Sequence, residues 1–320
     1  DYEIHNNQIT ITNYNGKSIN VVIPSTINGI TVSTISKDTF SRSNSFERIT
    51  ISDSISFIEE GTFSSCKKLT TFIVDTDNKK YASIEGILFD KSNKSLHSYP
   101  AGKSSSNYSI PQGIESLDAY SFYNCNNLKE ISIPNSVINI KDYTFSNCSN
   151  LTNINLPESI TKIGIGAFEY CKVLNNILIP SSIIEIGDYA FRGCANFSEF
   201  TVDIKNPRYE NKEGVLFDKI NKILYAYPSK KETKNYTIPK GITAIAMYAF
   251  NGNQNLNYIN FSEEILSIGD FAFNGCSYLN NIRIPESITT ISEGTFANCT
   301  YLSNIILPNS IVSINTMAFV

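Results

Sequence analysis

Leu151-Thr-Asn-Ile-Asn-Leu-Pro-Glu-Ser-Ile-Thr-Lys-Ile-Gly-Ile-Gly-Ala-Phe-Glu-Tyr-Cys-Lys-Val173 is one good copy of a unit that recurs along the whole chain. The unit reads L-x-x-I-x-I-P-x-S-I-x-x-I-x-x-x-[AST]-F-x-x-C-x-x. Its Phe falls at Phe40, Phe63, Phe122, Phe145, Phe168, Phe191, Phe250, Phe273, Phe296 and Phe319, at intervals of 23 or 59 residues. A fixed period in the twenties marks a solenoid, in which each coil packs only on its neighbours. Leu151, Ile154 and Leu156 end in strict alternation, the pattern of a half-buried strand. Pro follows at Pro24, Pro111, Pro134, Pro157, Pro180, Pro239, Pro285 and Pro308. It has no N–H to donate, so it belongs where a ladder stops. The S-I-x-x-I segment and the run to Phe suit an irregular or 3₁₀-like return, with Gly164, Gly187 and Gly269 marking a bend.

The residue before each Phe is Ala, Ser or Thr, as at Thr62, Ser121, Ala190 and Thr295. This is read as a steric limit where neighbouring coils come closest. A lone coil buries too little apolar surface to offset the entropy of ordering its backbone, so coils must stack.

Each 59-residue interval carries 36 extra residues, and the two match. Both contain E-G-[IV]-L-F-D-K-x-N-K-x-L-x-x-Y-P, from Glu85 to Pro100 and from Glu213 to Pro228. Ile87–Phe89 and Leu96–Tyr99 flank a polar Lys-Ser-Asn-Lys turn, which predicts a β-hairpin that joins the sheet. The expected organisation is an N-terminal capping hairpin over residues 1–23, turning at Asn13–Gly16. One continuous solenoid over 24–320 follows, with insertions near 75–107 and 203–235. The fold class is a mainly β repeat solenoid with a parallel sheet on one side.

The repeat, the Ile23-Pro-Ser-Thr-Ile-Asn-Gly29 opening and the G-[IV]-L-F-D…Y-P insertions resemble the BspA-like leucine-rich repeat family, the treponemal type with a 23-residue unit. The resemblance covers nearly the whole chain. It implies a right-handed superhelix and a surface-exposed or secreted protein of adhesin kind, binding host matrix protein, a cell surface or another microbe. The alternative it leaves open is a structural spacer with no ligand of its own. It carries over no catalytic residue. Lys141 stands where the repeat usually has Gly, and Ser43 and Asn253 where it has Cys.

Net charge is −4 with no Lys/Arg block, which argues against nucleic acid as a partner. No apolar run is long enough to span a bilayer. Cys66, Cys125, Cys148, Cys171, Cys194, Cys276 and Cys299 each lie three residues after a repeat Phe. One equivalent slot per coil predicts a buried row of small apolar groups, not a zinc cluster or a disulfide framework. His5 and His97 are the two histidines, and no Ser-His-Asp set assembles from repeat-equivalent positions. Neighbouring carboxylates such as Glu263 and Glu264 read as solvated surface. No cofactor, metal site or enzymatic activity is expected. N-x-[ST] triplets, including Asn147, Asn196 and Asn298, are frequent in a chain so rich in Asn and Ser.

The third and fifth positions of L-x-x-I-x-I should face away from the core. They form a polar, Asn-rich strip whose candidate ligand contacts are Glu130, Asn153, Asn155, Asn176, Leu178, Glu199, Tyr258, Asn260, Asn281 and Arg283. Tyr258 and Arg283 are the expected anchors, since Tyr and Arg are enriched among binding hot spots. The chain stops one residue after its tenth Phe without a polar cap, so end-to-end self-association is a further expectation.

Overall fold

A computed structural model describes residues 1–41 and 43–320. The chain forms two compact units, Asp1–Phe168 and Glu169–Val320. Each is a mainly β solenoid with parallel sheets, as the repeat predicts.

In the first unit the L-x-x-I-x-I strands stack in register. Asn20–Val22, Arg48–Ile51 and Thr71–Val74 form one parallel sheet, and Asn107–Ser109, Glu130–Ser132 and Asn153–Asn155 another. The second unit pairs Asn176–Ile179 with Glu199–Val202. It then stacks Asn235–Thr237, Tyr258–Asn260, Asn281–Arg283 and Asn304–Ile306. Central residues such as Ile131, Ile154 and Ile259 are buried, while their neighbours on either side are exposed. The alternation of the sequence is thus the alternation of the pleat.

The return of each coil is more regular than the sequence predicts. One 3₁₀ turn, Lys37–Phe40, occurs among the described residues. The S-I-x-x-I segments form a second parallel ladder of two-residue strands, such as Ser116–Leu117, Asn139–Ile140 and Lys162–Ile163. Two residues per coil are too few to show a periodicity, so this ladder is silent in the sequence. Gly164 and Gly269 serve close approach here. A Cβ at Gly164 would lie 2.4 Å from the Lys141 carbonyl carbon, and one at Gly269 would lie 2.6 Å from the Met247 nitrogen.

The N-terminal hairpin differs from expectation. Tyr2–His5 pairs antiparallel with Gln8–Ile11, turning at Asn6 and Asn7, whose φ angles are 51° and 59°. Two consecutive left-handed residues make the tight hairpin turn that Asn favours. Asn20–Val22 instead pairs in parallel with Arg48–Thr50. The segment expected as the hairpin's second arm is already a rung of the solenoid.

The insertions are three-stranded. Tyr81–Ile84, Ile87–Asp90 and Ser95–Ser98 form an antiparallel meander, and Ser95–Ser98 continues in parallel into Ser116–Leu117. Tyr209–Lys212, Val215–Asp218 and Ile223–Ala226 repeat this in the second unit, joined to Ala244–Ile245. The predicted hairpin is present, and it extends the return-side ladder.

The repeat Phe rings stack on one another and are buried except at Phe319, which is 41% exposed. Phe122 stacks on Phe145 at 5.1 Å between centroids, and Phe145 on Phe168 at 5.4 Å. Phe250, Phe273, Phe296 and Phe319 do the same in the second unit. Tyr99 stacks on Phe122 at 5.2 Å and Tyr227 on Phe250 at 4.6 Å. The Tyr of each insertion's Tyr-Pro pair therefore stands in the Phe column, 23 residues ahead of the next Phe. Each insertion is a lengthened coil with Tyr as its rung, and the Tyr99-to-Phe122 spacing was the signal for it.

Candidate functional site

All ten candidate contact residues are exposed and lie on the outward side of the first strand of their coils. Parallel register brings some of them together. Glu130 lies opposite Asn153, Asn176 opposite Glu199, and Tyr258 opposite Asn281. Asn155 faces Ser132, Leu178 faces Thr201, and Arg283 faces Ile306.

The asparagines of the two sides differ in what their amides do. Several of those in the turns satisfy backbone. Asn150 donates to the Asn126 carbonyl at 2.8 Å and Asn251 to the Asn274 carbonyl at 3.0 Å. Asn78 and Asn206 each donate to two carbonyls of the preceding coil. The side chains of Asn153, Asn155, Asn176, Asn260 and Asn281 make no such bond to another described residue, nor do Tyr258 and Arg283. Their donors and acceptors face solvent.

A concavity on this face is lined by Tyr258, Asn260, Glu263, Arg283 and Pro285. Three of these are candidate contacts. Glu263, expected as plain solvated surface, stands at its rim. Glu264 is spent elsewhere, accepting the Gly241 N–H at 2.8 Å. The repeat separates the two carboxylates: Glu264 stands in the Ser slot of P-x-S-I, where Ser136 accepts the Gly113 N–H at 3.1 Å.

The return side of the first unit holds a polar cluster that the sequence reading missed. Asp118 accepts hydrogen bonds from Ser95 Oγ at 2.8 Å and Lys141 Nζ at 2.8 Å, and His97 Nδ1 lies 3.2 Å from it. Lys141 also donates to Glu60 at 2.6 Å, and Glu60 accepts the Ala119 N–H. Burial acts to raise the Asp118 pKa, but hydrogen bonds and charge from His97 and Lys141 outweigh it and hold the carboxyl below its ordinary value. Ser, His and Asp meet here, yet the hydroxyl bonds to the carboxylate and not to the imidazole, and Ser95 is fully buried. Acyl transfer needs the base on the nucleophile and the nucleophile open to substrate, so this is a structural fastening. The unexpected Lys141 is its centre. The equivalents 128 residues on are Ile223, Tyr225, Ala246 and Gly269. There Tyr225 Oη lies 2.6 Å from the carbonyls of both Ile186 and Gly187, and Arg192 lies 4.1 Å over the Tyr248 ring.

The Cys slot is buried except at Cys299, which is half-buried. It does more than fill space. Cys148 donates to the Phe122 carbonyl at 3.0 Å, Cys276 to Phe250 at 3.1 Å and Cys299 to Phe273 at 3.2 Å. In the same slot Ser43 donates to the Tyr14 carbonyl at 2.7 Å and Asn253 to Pro228 at 3.0 Å. Both replacements are hydrogen-bond donors, which was the legible clue. Among the described residues no group of three or more His, Cys, Asp or Glu is placed to hold a metal ion, and no helix is long and apolar enough to cross a membrane.

The sequence matches the profile of the BspA type Leucine rich repeat region (6 copies) over residues 3–105, 98–212 and 219–320. The fold is similar to that of a leucine rich cell surface protein from Faecalibacterium prausnitzii, with a TM-score of 0.61 and 24% identity over 99% of this chain and 83% of that one. It is also similar to the pneumococcal vaccine antigen PcpA, with a TM-score of 0.57 and 22% identity over 99% and 76% of the two chains. Comparison with curated proteins gave no match.

Proposed function

The chain belongs to the BspA-type leucine-rich repeat family, and from that premise we propose that it is a non-enzymatic, surface-exposed or secreted binding protein of adhesin kind. Its ligand is a protein or cell surface, met by the outward side of the first strands. The observation that carries this reading is the contrast in commitment. Several turn amides are used inside the fold, whereas the strand-column amides, Tyr258 and Arg283 have no side-chain hydrogen bond or ion pair among the described residues. A rigid array of unspent donors and acceptors is the surface a binding partner can use without breaking anything. In the first unit the proposed contacts are Glu130, Asn153 and Asn155; in the second they are Asn176, Leu178, Glu199, Asn260 and Asn281, with Tyr258 and Arg283 as anchors.

The test is adhesion of the 320-residue chain to immobilised matrix proteins and whole cells. Tyr258→Ala with Arg283→Ala should weaken it by about tenfold or more. Undiminished adhesion in the double variant would remove this face as the binding surface. Failure of the unaltered chain to bind any of these surfaces would favour a spacer role.

A further inference from the structure

We propose that the concavity lined by Tyr258, Asn260, Glu263, Arg283 and Pro285 is a subsite for a neutral saccharide, an inference that rests on the outward face being the binding face. Glu263 and Arg283 line one concavity but form no ion pair with each other. One is a fixed acceptor, the other a fixed donor, and the Asn260 amide beside them is both. A hydroxyl group is the partner that satisfies this set, because it donates to the carboxylate while accepting from the guanidinium or the amide. A ligand carboxylate would meet Glu263 as a like charge, and a ligand ammonium would meet Arg283 in the same way.

The apolar provision has the same character. Tyr258 is 40% exposed, and its ring offers one flat platform for the C–H face of a pyranose. A protein partner would draw on outward positions beyond this concavity as well. The outward positions of these strands supply Tyr258 and Ile306, with Asn235, Thr237, Asn281 and Asn304 as their neighbours. An extended peptide adding a strand needs an open sheet edge, and the concavity lies on a face between paired strands. Amides recurring at a strand spacing of about 4.8 Å allow further sugar units to continue along the column.

The experiment uses a printed array of defined neutral and acidic glycans, alongside enzymatically deglycosylated matrix proteins. The intact chain should bind neutral glycans on the array. Tyr258→Ala should lower that signal by about tenfold or more with an unchanged melting curve. Glu263→Lys, which makes both rim charges positive, should shift preference toward acidic glycans, an effect that loss of structure alone would not produce. No array signal, or a signal confined to acidic glycans in the unaltered chain, overturns the proposal. Binding to deglycosylated matrix proteins without array binding would sink the saccharide subsite and leave the binding function standing. Binding to neither would sink both.

Discussion

The Sγ of Cys148 lies 3.0 Å from the carbonyl oxygen of Phe122, one coil back. A thiol is a weak donor, and the Phe122 carbonyl also accepts the Cys125 N–H at 3.2 Å, so losing the thiol removes one of its two bonds and opens a small cavity in a buried slot. Cys148→Ala should therefore destabilise by about 1–3 kcal/mol. Cys148→Ser should cost less, because a hydroxyl does this work at Ser43. Urea denaturation of both variants measures the difference; equal losses would return the slot to simple packing.

The same burial sets thiol chemistry. It pushes the Cys148 and Cys194 pKa values up to about 12, so little thiolate exists near neutral pH. Alkylation of the native protein should be slow at these sites and fast in denaturant. The half-buried Cys299 should react first. Mass spectrometry of a labelling time course gives the order, and early modification of Cys148 would contradict it.

Neighbouring coils are hydrogen-bonded directly at the small residue before the Phe. The Ala272 carbonyl accepts the Phe250 N–H at 2.8 Å, and the Ala318 carbonyl accepts the Phe296 N–H at 2.8 Å. Ala190 and Ala272 are fully buried. Ala190→Leu or Ala272→Leu should each destabilise by roughly 1–3 kcal/mol through overpacking. A melting curve unmoved by either substitution would show that the small residue is not a steric limit.

Asp118 makes the first unit acid-sensitive. Its folded pKa lies below the ordinary carboxylate value, so its stabilising contribution is complete above that value. The contribution is lost as pH falls toward and through the folded value. Hydrogen-exchange protection of Ser95–Ser98, taken relative to the intrinsic exchange rate at each pH, should therefore fall in acid more than that of Ile223–Ala226, whose unit has Ala246 in the equivalent place. Asp118→Asn should remove most of this pH dependence. If the variant keeps the wild-type acid response, the cluster is not its source.

Much of the molecule was readable because repetition averages out local ambiguity. One copy of L-x-x-I-x-I could be helix or strand; repeated copies at one period leave only stacked strands. The Phe column and the outward positions of Tyr258 and Arg283 followed from that period. The two-residue return strands did not, since Ser116–Leu117 is too short to carry a pattern. The N-terminal hairpin was misplaced because Ile19, Val21 and Ile23 alternate equally well for either pairing, and parallel pairing with Arg48–Thr50 is a long-range choice. The Tyr rungs carry a weaker signal, because Tyr99 and Tyr227 keep the 23-residue spacing to the next Phe with a different residue type.

By itself the sequence determined the rung, its period and which side of each first strand faces water, because steric limits and the two-residue pleat act within a coil. Tertiary structure alone decided which polar groups are spent. Lys141 meets Asp118 and Glu60 only when distant coils stack, and Glu263 shares a concavity with Arg283 only when neighbouring coils stack. Hydrogen bonds are short-ranged and directional and ion pairs form at contact distance, so their partners are fixed by coil-to-coil contact and not by neighbours in the chain.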